Sequence, residues 1–203
     1  MVSGMKIQVS AGAILFCAAL LLFLPLQWIG AALLAVLIHE SCHAIAVYLL
    51  GGSIRRIFIG CRGMVMETLP MSGVRELICV MAGPVGSIML IAVAPRLPRT
   101  AICGFIHGIY NLIPLFPLDG GRVIRNVFYS FLSPPLAHKV FLWTQRVVSV
   151  FILVATAILT LRLGVVPLVL GLLVARNYLW QNPLAKIPVW RYNKGTMDKE
   201  VRP

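Results

Sequence analysis

One carboxylate constrains this chain more than any other feature. From Ile7 to Ile54 the sequence carries a single formal charge, Glu40, set in the apolar stretch ALLAVLIHESCHAIAVYLLGG. A carboxylate at the centre of a membrane helix costs about 2.5–3.5 kcal/mol on insertion scales, and an ionisable residue there marks a functional site by default. Its neighbours indicate the chemistry. His39 and His43 are four residues apart, so on a helix they share one face and can grip one metal ion. Glu40, beside them, is free to act as a base toward water at that ion.

Composition supports the membrane setting. The 203 residues are 60% hydrophobic and 12% charged, against about 25% charged in soluble domains. The net charge of +12 does not indicate nucleic acid, because no basic stripe with interleaved aromatics is present. The Lys and Arg residues instead cluster in short segments between apolar runs, the pattern that sets membrane orientation. The five cysteines form no CxxC pair and no disulfide framework. Cys42 lies about 60° round the helical wheel from His39 and reads as flanking the metal motif, not ligating.

Apolar runs predict about six transmembrane helices, at Ile7–Leu24, Trp28–Leu50, Leu77–Pro95, Thr100–Leu118, Val140–Leu161 and Leu163–Trp180. The first reads as a retained span rather than a cleaved signal. Between the second and third, Ser53–Thr68 reads as a short membrane-associated β-hairpin. The fold class expected is thus an all-α polytopic membrane protein with that one hairpin. Residues 1–180 form the membrane domain and 181–203 a short basic tail. Placing the N-terminus inside puts Arg55, Arg56, Arg62, Arg75, Arg122, Arg125, Lys139 and the tail on one side. Arg96, Arg99 and Arg162 fall on the other. The positive-inside rule then makes both termini cytoplasmic.

In the third run, Ala82/Gly86 and Gly83/Ser87 are small residues four apart, which let a neighbouring helix approach closely. The fourth run ends with Pro114 and Pro117 ahead of Asp119-Gly120-Gly121. Two prolines so close must break a helix, and broken backbone at membrane depth is tolerated only where it is buried or lines a cavity. Catalytic zinc takes three protein ligands and leaves a position for water. Of the six acids, Asp119 alone is attached to a broken membrane segment, on what reads as irregular backbone. It is the best third ligand. His107 competes for that place, but it shares a face with Asn111 and reads as a hydrogen-bonding or packing residue.

His39-Glu40-Ser41-Cys42-His43, then Met81-Ala82-Gly83-Pro84, then Asn111-x-x-Pro114-x-x-Pro117-Leu118-Asp119-Gly120 resemble the site-2 protease family of intramembrane metalloproteases. The resemblance runs from about residue 30 to 125. It implies one zinc per chain held by His39, His43 and Asp119, with Glu40 as base. It also implies that Asn111 contacts the substrate main chain or the developing oxyanion. The activity implied is hydrolysis of a peptide bond in or near the membrane segment of a membrane-tethered protein. The early HExxH motif and six-span plan resemble the sporulation-type branch, which processes a pro-sigma factor, or a minimal member without PDZ and CBS domains. That implies a bacterial cell membrane, regulated intramembrane proteolysis and a possible regulatory membrane partner. The alternative is a zinc-binding membrane protein without proteolysis. For the substrate, the expectation is that Ile57, Phe58 and Ile59 capture an unwound segment by β-strand addition.

Overall fold

The computed structural model describes residues 6–60, 63–69, 71, 73–165, 167–169 and 171–172. In order these form β1 (Lys6–Val9), α1 (Ala11–Phe23), α2 (Leu26–Leu49), β2 (Ile54–Gly60), β3 (Gly63–Thr68) and α3 (Gly73–Met89). Then follow a 3-10 turn at Leu90–Val93, α4 (Pro98–Asn111), α5 (Asp119–Phe131) and α6 (Pro134–Leu163). The chain divides into two units within α6, the first ending at Gln145.

Three segments of the described residues are long and apolar enough to cross a bilayer: Leu26–Leu49, Gly73–Val93 and Pro134–Arg162. At 1.5 Å per residue α2 is about 36 Å long, more than a hydrocarbon core of about 30 Å. By the same arithmetic α1 and α4 are about 20 Å each, too short to cross alone. The protein is therefore a mostly helical integral membrane protein, with three such helices among the described residues where the sequence suggests about six. The sixth expected run and the tail, from residue 173 onward, lie outside the described residues.

Two elements differ from expectation. Residues 7–9, read as the start of a span, form β1 together with Lys6, because they pair in parallel with β2 (Lys6 opposite Arg56, Val9 opposite Ile59). Asp119, expected on irregular backbone, is instead the first residue of the amphipathic helix α5, which runs to Phe131. The expected hairpin is present as β2 and β3, antiparallel with Ile57 opposite Met66 and an irregularity at Ile54/Arg56. With β1 it makes a three-stranded sheet of order β1-β2-β3. β2 is the central strand, paired along both edges. Backbone addition at Ile57–Ile59 is therefore closed off, and among the described residues the unpaired edges belong to β1 and β3.

Local chemistry places the ends of α2. Pro25 stops α1 and caps α2. At the far end Gly51 takes φ +75°, while the Gly51 N–H donates to Tyr48 O and the Gly52 N–H to Val47 O. This is the paired closure that a left-handed glycine after a helix allows.

The core of the first unit is where α2, α3 and α4 pack pairwise. α2 contributes Ala31, Ala35, His39, His43 and Val47 at four-residue intervals. α3 contributes Cys79, Val80, Gly83, Pro84 and Ser87, and α4 Thr100, Ala101, Gly104 and Gly108. Small residues bring the backbones together: a Cβ on Gly108 would lie 3.0 Å from the Ser87 Cβ, and one on Gly86 would strike Cys42 Sγ. The outward faces carry Leu33, Leu37, Ile102 and Ile106, all exposed, as lipid contact requires. α5 is tied to the start of α3 by Asn126 Nδ2 donating to Gly73 O at 2.9 Å. In the second unit, α6 absorbs its own polar groups: Thr156 and Thr160 donate back to carbonyls of the preceding turn.

Candidate metal centre

α2 supplies two imidazoles one turn apart, and the helix break after α4 delivers an acid to them from 76 residues further along the chain. His39 Nε2 lies 3.0 Å from Asp119 Oδ2, His43 Nε2 lies 3.1 Å from the same oxygen, and the two Nε2 atoms are 3.1 Å apart. Among the described residues this is the one group of three or more His, Cys, Asp or Glu side chains that could hold a metal ion. All three are buried, His39 at 1% exposure and Asp119 at 6%.

The outer nitrogens fix the inner ones. His43 Nδ1 is 2.7 Å from the Cys79 carbonyl oxygen. A carbonyl only accepts, so Nδ1 carries the proton and Nε2 of the neutral ring presents a lone pair inward. His39 Nδ1 is 2.8 Å from Ser87 Oγ, which accommodates the same tautomer. With that tautomer at both rings, two imidazole lone pairs and a carboxylate oxygen converge, a donor set suited to a cation. Tetrahedral zinc with bonds of about 2.0–2.1 Å would space its donors by about 3.3 Å, close to the separations present. Imidazoles whose other ring nitrogen donates to a carbonyl or hydroxyl are the usual form of a metal-ligating histidine. The residues therefore fit zinc.

Around the group, Gly83 provides the room. A Cβ there would stand 2.7 Å from His39 Nε2 and would overlap His43 Nε2. Arg122 Nη1 is 3.8 Å from Asp119 Oδ1, the other carboxylate oxygen. Glu40 is half-buried beside the two histidines and within electrostatic reach of Asp119 and Arg122. His107 does not join the donor atoms. Its ring meets that of His39 edge-on, with centroids 4.6 Å apart. Asn111 Nδ2 lies 3.0 Å from His107 Nε2 and donates to the His107 carbonyl at 3.1 Å. Ile57, Phe58 and Ile59 sit in β2, within the sheet. The sequence reading missed Ser87 as a partner of His39, although its place four residues after Gly83 marked the face that meets α2. It also missed Arg122, whose i+3 position from Asp119 is the available signal.

Residues 61–155 match the model of peptidase family M50. A zinc metalloprotease of Methanocaldococcus jannaschii is 30% identical, over 49% of this chain and 34% of that protein. The chain thus spans about a third of that relative's length. The solved site-2 protease of the same organism aligns with all of this chain and 96% of its own, at a TM-score of 0.64 and 19% identity. The likeness to that structure is one of fold.

Proposed function

We propose that this chain, part of which matches peptidase family M50, acts as an intramembrane zinc metalloprotease, cleaving a peptide bond in or near the membrane segment of a tethered protein. The convergence of two imidazole nitrogens and one carboxylate oxygen beside Glu40, on an apolar helix, is the observation that carries this reading. His39, His43 and Asp119 would hold the metal. A zinc ion held there would supply Lewis acidity toward water and toward the scissile carbonyl. Glu40 takes the proton of the attacking water and returns it to the leaving nitrogen. Asn111, at the end of α4, orients the substrate main chain or the developing oxyanion. The apolar surroundings of α2 exclude bulk water and strengthen each of these interactions.

The substrate we favour is a membrane-tethered transcription-factor precursor, of pro-sigma or anti-sigma type, released by regulated intramembrane proteolysis, as in sporulation. A regulatory membrane partner would fit that role. An unwound substrate would add to a free edge of the sheet, with the exposed Phe58 side chain touching it from the face. We assign the membrane domain to residues 1–180 and a basic tail to 181–203. About six membrane-embedded helices, α1 and α4 among them, would place both termini in the cytoplasm of a bacterial cell. The test is co-expression with candidate tethered precursors. Wild type should release the soluble fragment. Glu40→Gln should release none while keeping one zinc per chain. Cleavage by Glu40→Gln at the wild-type rate would refute the assignment of the base. Zinc binding without cleavage of any precursor would favour a metal-binding protein.

A further inference from the structure

The residues between α4 and α5 have no helix to satisfy their backbone, yet they deliver Asp119. Leu112 donates to Gly108 O, Ile113 to Tyr110 O, Leu115 to Ile113 O and Leu118 to Leu115 O. Pro114 and Pro117 have no N–H. That leaves Phe116, whose N–H donates to Gln145 Oε1 at 2.8 Å. The same side chain donates from Nε2 to the Pro114 carbonyl at 3.0 Å. One amide on α6 therefore pairs with a C=O and an N–H two residues apart, as a neighbouring strand would. Gln145 is 1% exposed and follows Phe141 and Ala137 on one buried stripe of α6. Leu115, between the two clamped groups, is also fully buried. A glutamine in an apolar run is costly unless both ends of its amide are used, and here both are.

We infer that Gln145 is a positioning residue for the metal centre: its amide holds the Pro114–Phe116 backbone so that Asp119, three residues beyond, meets His39 and His43. Few other contacts can do this, because two prolines have removed the donors that would lock the segment to a helix. Release of the clamp lets α5 begin elsewhere, and the carboxylate drifts from the imidazoles while those remain fixed by α2 and α3. This rests on the metalloprotease reading, and the test separates the two. It measures zinc affinity by chelator competition, and the visible spectrum of the cobalt-substituted site, on the purified full chain.

Gln145→Met keeps the length and removes the amide. It should weaken zinc binding by about 10- to 100-fold and alter the cobalt bands, with helical circular dichroism retained. Thr144→Val removes the neighbouring hydroxyl, which only donates within α6 to Val140 O, and should change neither. Asp119→Asn gives the scale for loss of a ligand. Wild-type affinity and spectrum in Gln145→Met would overturn the clamp. Where that variant does not fold, Gln145→Asn, too short to hold both groups, is read by the same criteria. A wild-type chain that binds no zinc would instead overturn the metal site itself.

Discussion

Gly83→Ala is the smallest change that should dismantle the centre. The new Cβ would lie 2.7 Å from His39 Nε2 and nearer still to His43 Nε2. Ordinary carbon–nitrogen contact begins near 3.4–3.5 Å, so the His39 ring must retreat by about 0.7 Å and the His43 ring by more. Ligand positions tolerate about 0.2 Å. Neither imidazole can simply swing, because their outer nitrogens are bound to Ser87 and Cys79. Helix α3 cannot back away from α2 cheaply either, since α4 is packed behind it, with a Cβ on Gly108 only 3.0 Å from Ser87 Cβ. Lost outer support alone costs about 10- to 100-fold in metal affinity. Displacing two donors at once should exceed that, so a loss of at least about 100-fold is expected, or roughly 2.7 kcal/mol. The control is Gly30→Ala, also on a membrane helix, where a Cβ meets nothing within 4 Å. It should leave zinc binding unchanged and, by helix propensity, raise stability by up to about 1 kcal/mol. The assay is zinc competition on detergent-purified protein, with thermal unfolding alongside. Wild-type affinity in Gly83→Ala would refute the packing account.

Ser87→Ala removes the partner of His39 Nδ1, and zinc affinity should fall by about 10- to 100-fold with the fold intact, as read by the same competition assay. Gly51→Ala puts a side chain at φ +75° and should cost about 1–2 kcal/mol of stability, seen as a lower melting temperature with zinc stoichiometry unchanged. Phe58→Asp alters an exposed side chain of β2 and should raise KM for a tethered substrate, leaving kcat and zinc content near wild type. A proline in β2 would not discriminate, because that strand is paired on both sides and the sheet itself would fail.

The parts of this site that could be read from the sequence are those whose chemistry is local. His39, Glu40 and His43 announce themselves because i, i+4 spacing is a helical fact independent of the rest of the fold. Asp119 followed from scarcity, since few acids exist and one alone adjoins a broken apolar run. What stayed hidden depends on distant partners. β1 merges into the apolar run of α1, and only β2, some fifty residues away, makes it a strand. The central place of β2, which closes its edges to a substrate, follows from that same pairing. α5 was obscured by Gly120 and Gly121 in its first turn, which lower helix propensity, and by arginines that read as loop charge. Ser87 and Gln145 are ordinary polar residues in apolar runs. Their roles exist only once α3 and α6 are set against the ligands and the segment that carries them.

The central claim is that His39, His43 and Asp119 together bind one zinc ion. X-ray absorption spectroscopy on the zinc-loaded chain tests it most directly. The account predicts one zinc per chain with only nitrogen and oxygen neighbours at about 2.0–2.1 Å, two of them imidazoles, and loss of that signature in Asp119→Ala. A sulfur neighbour at about 2.3 Å, or an unchanged spectrum in Asp119→Ala, would contradict it.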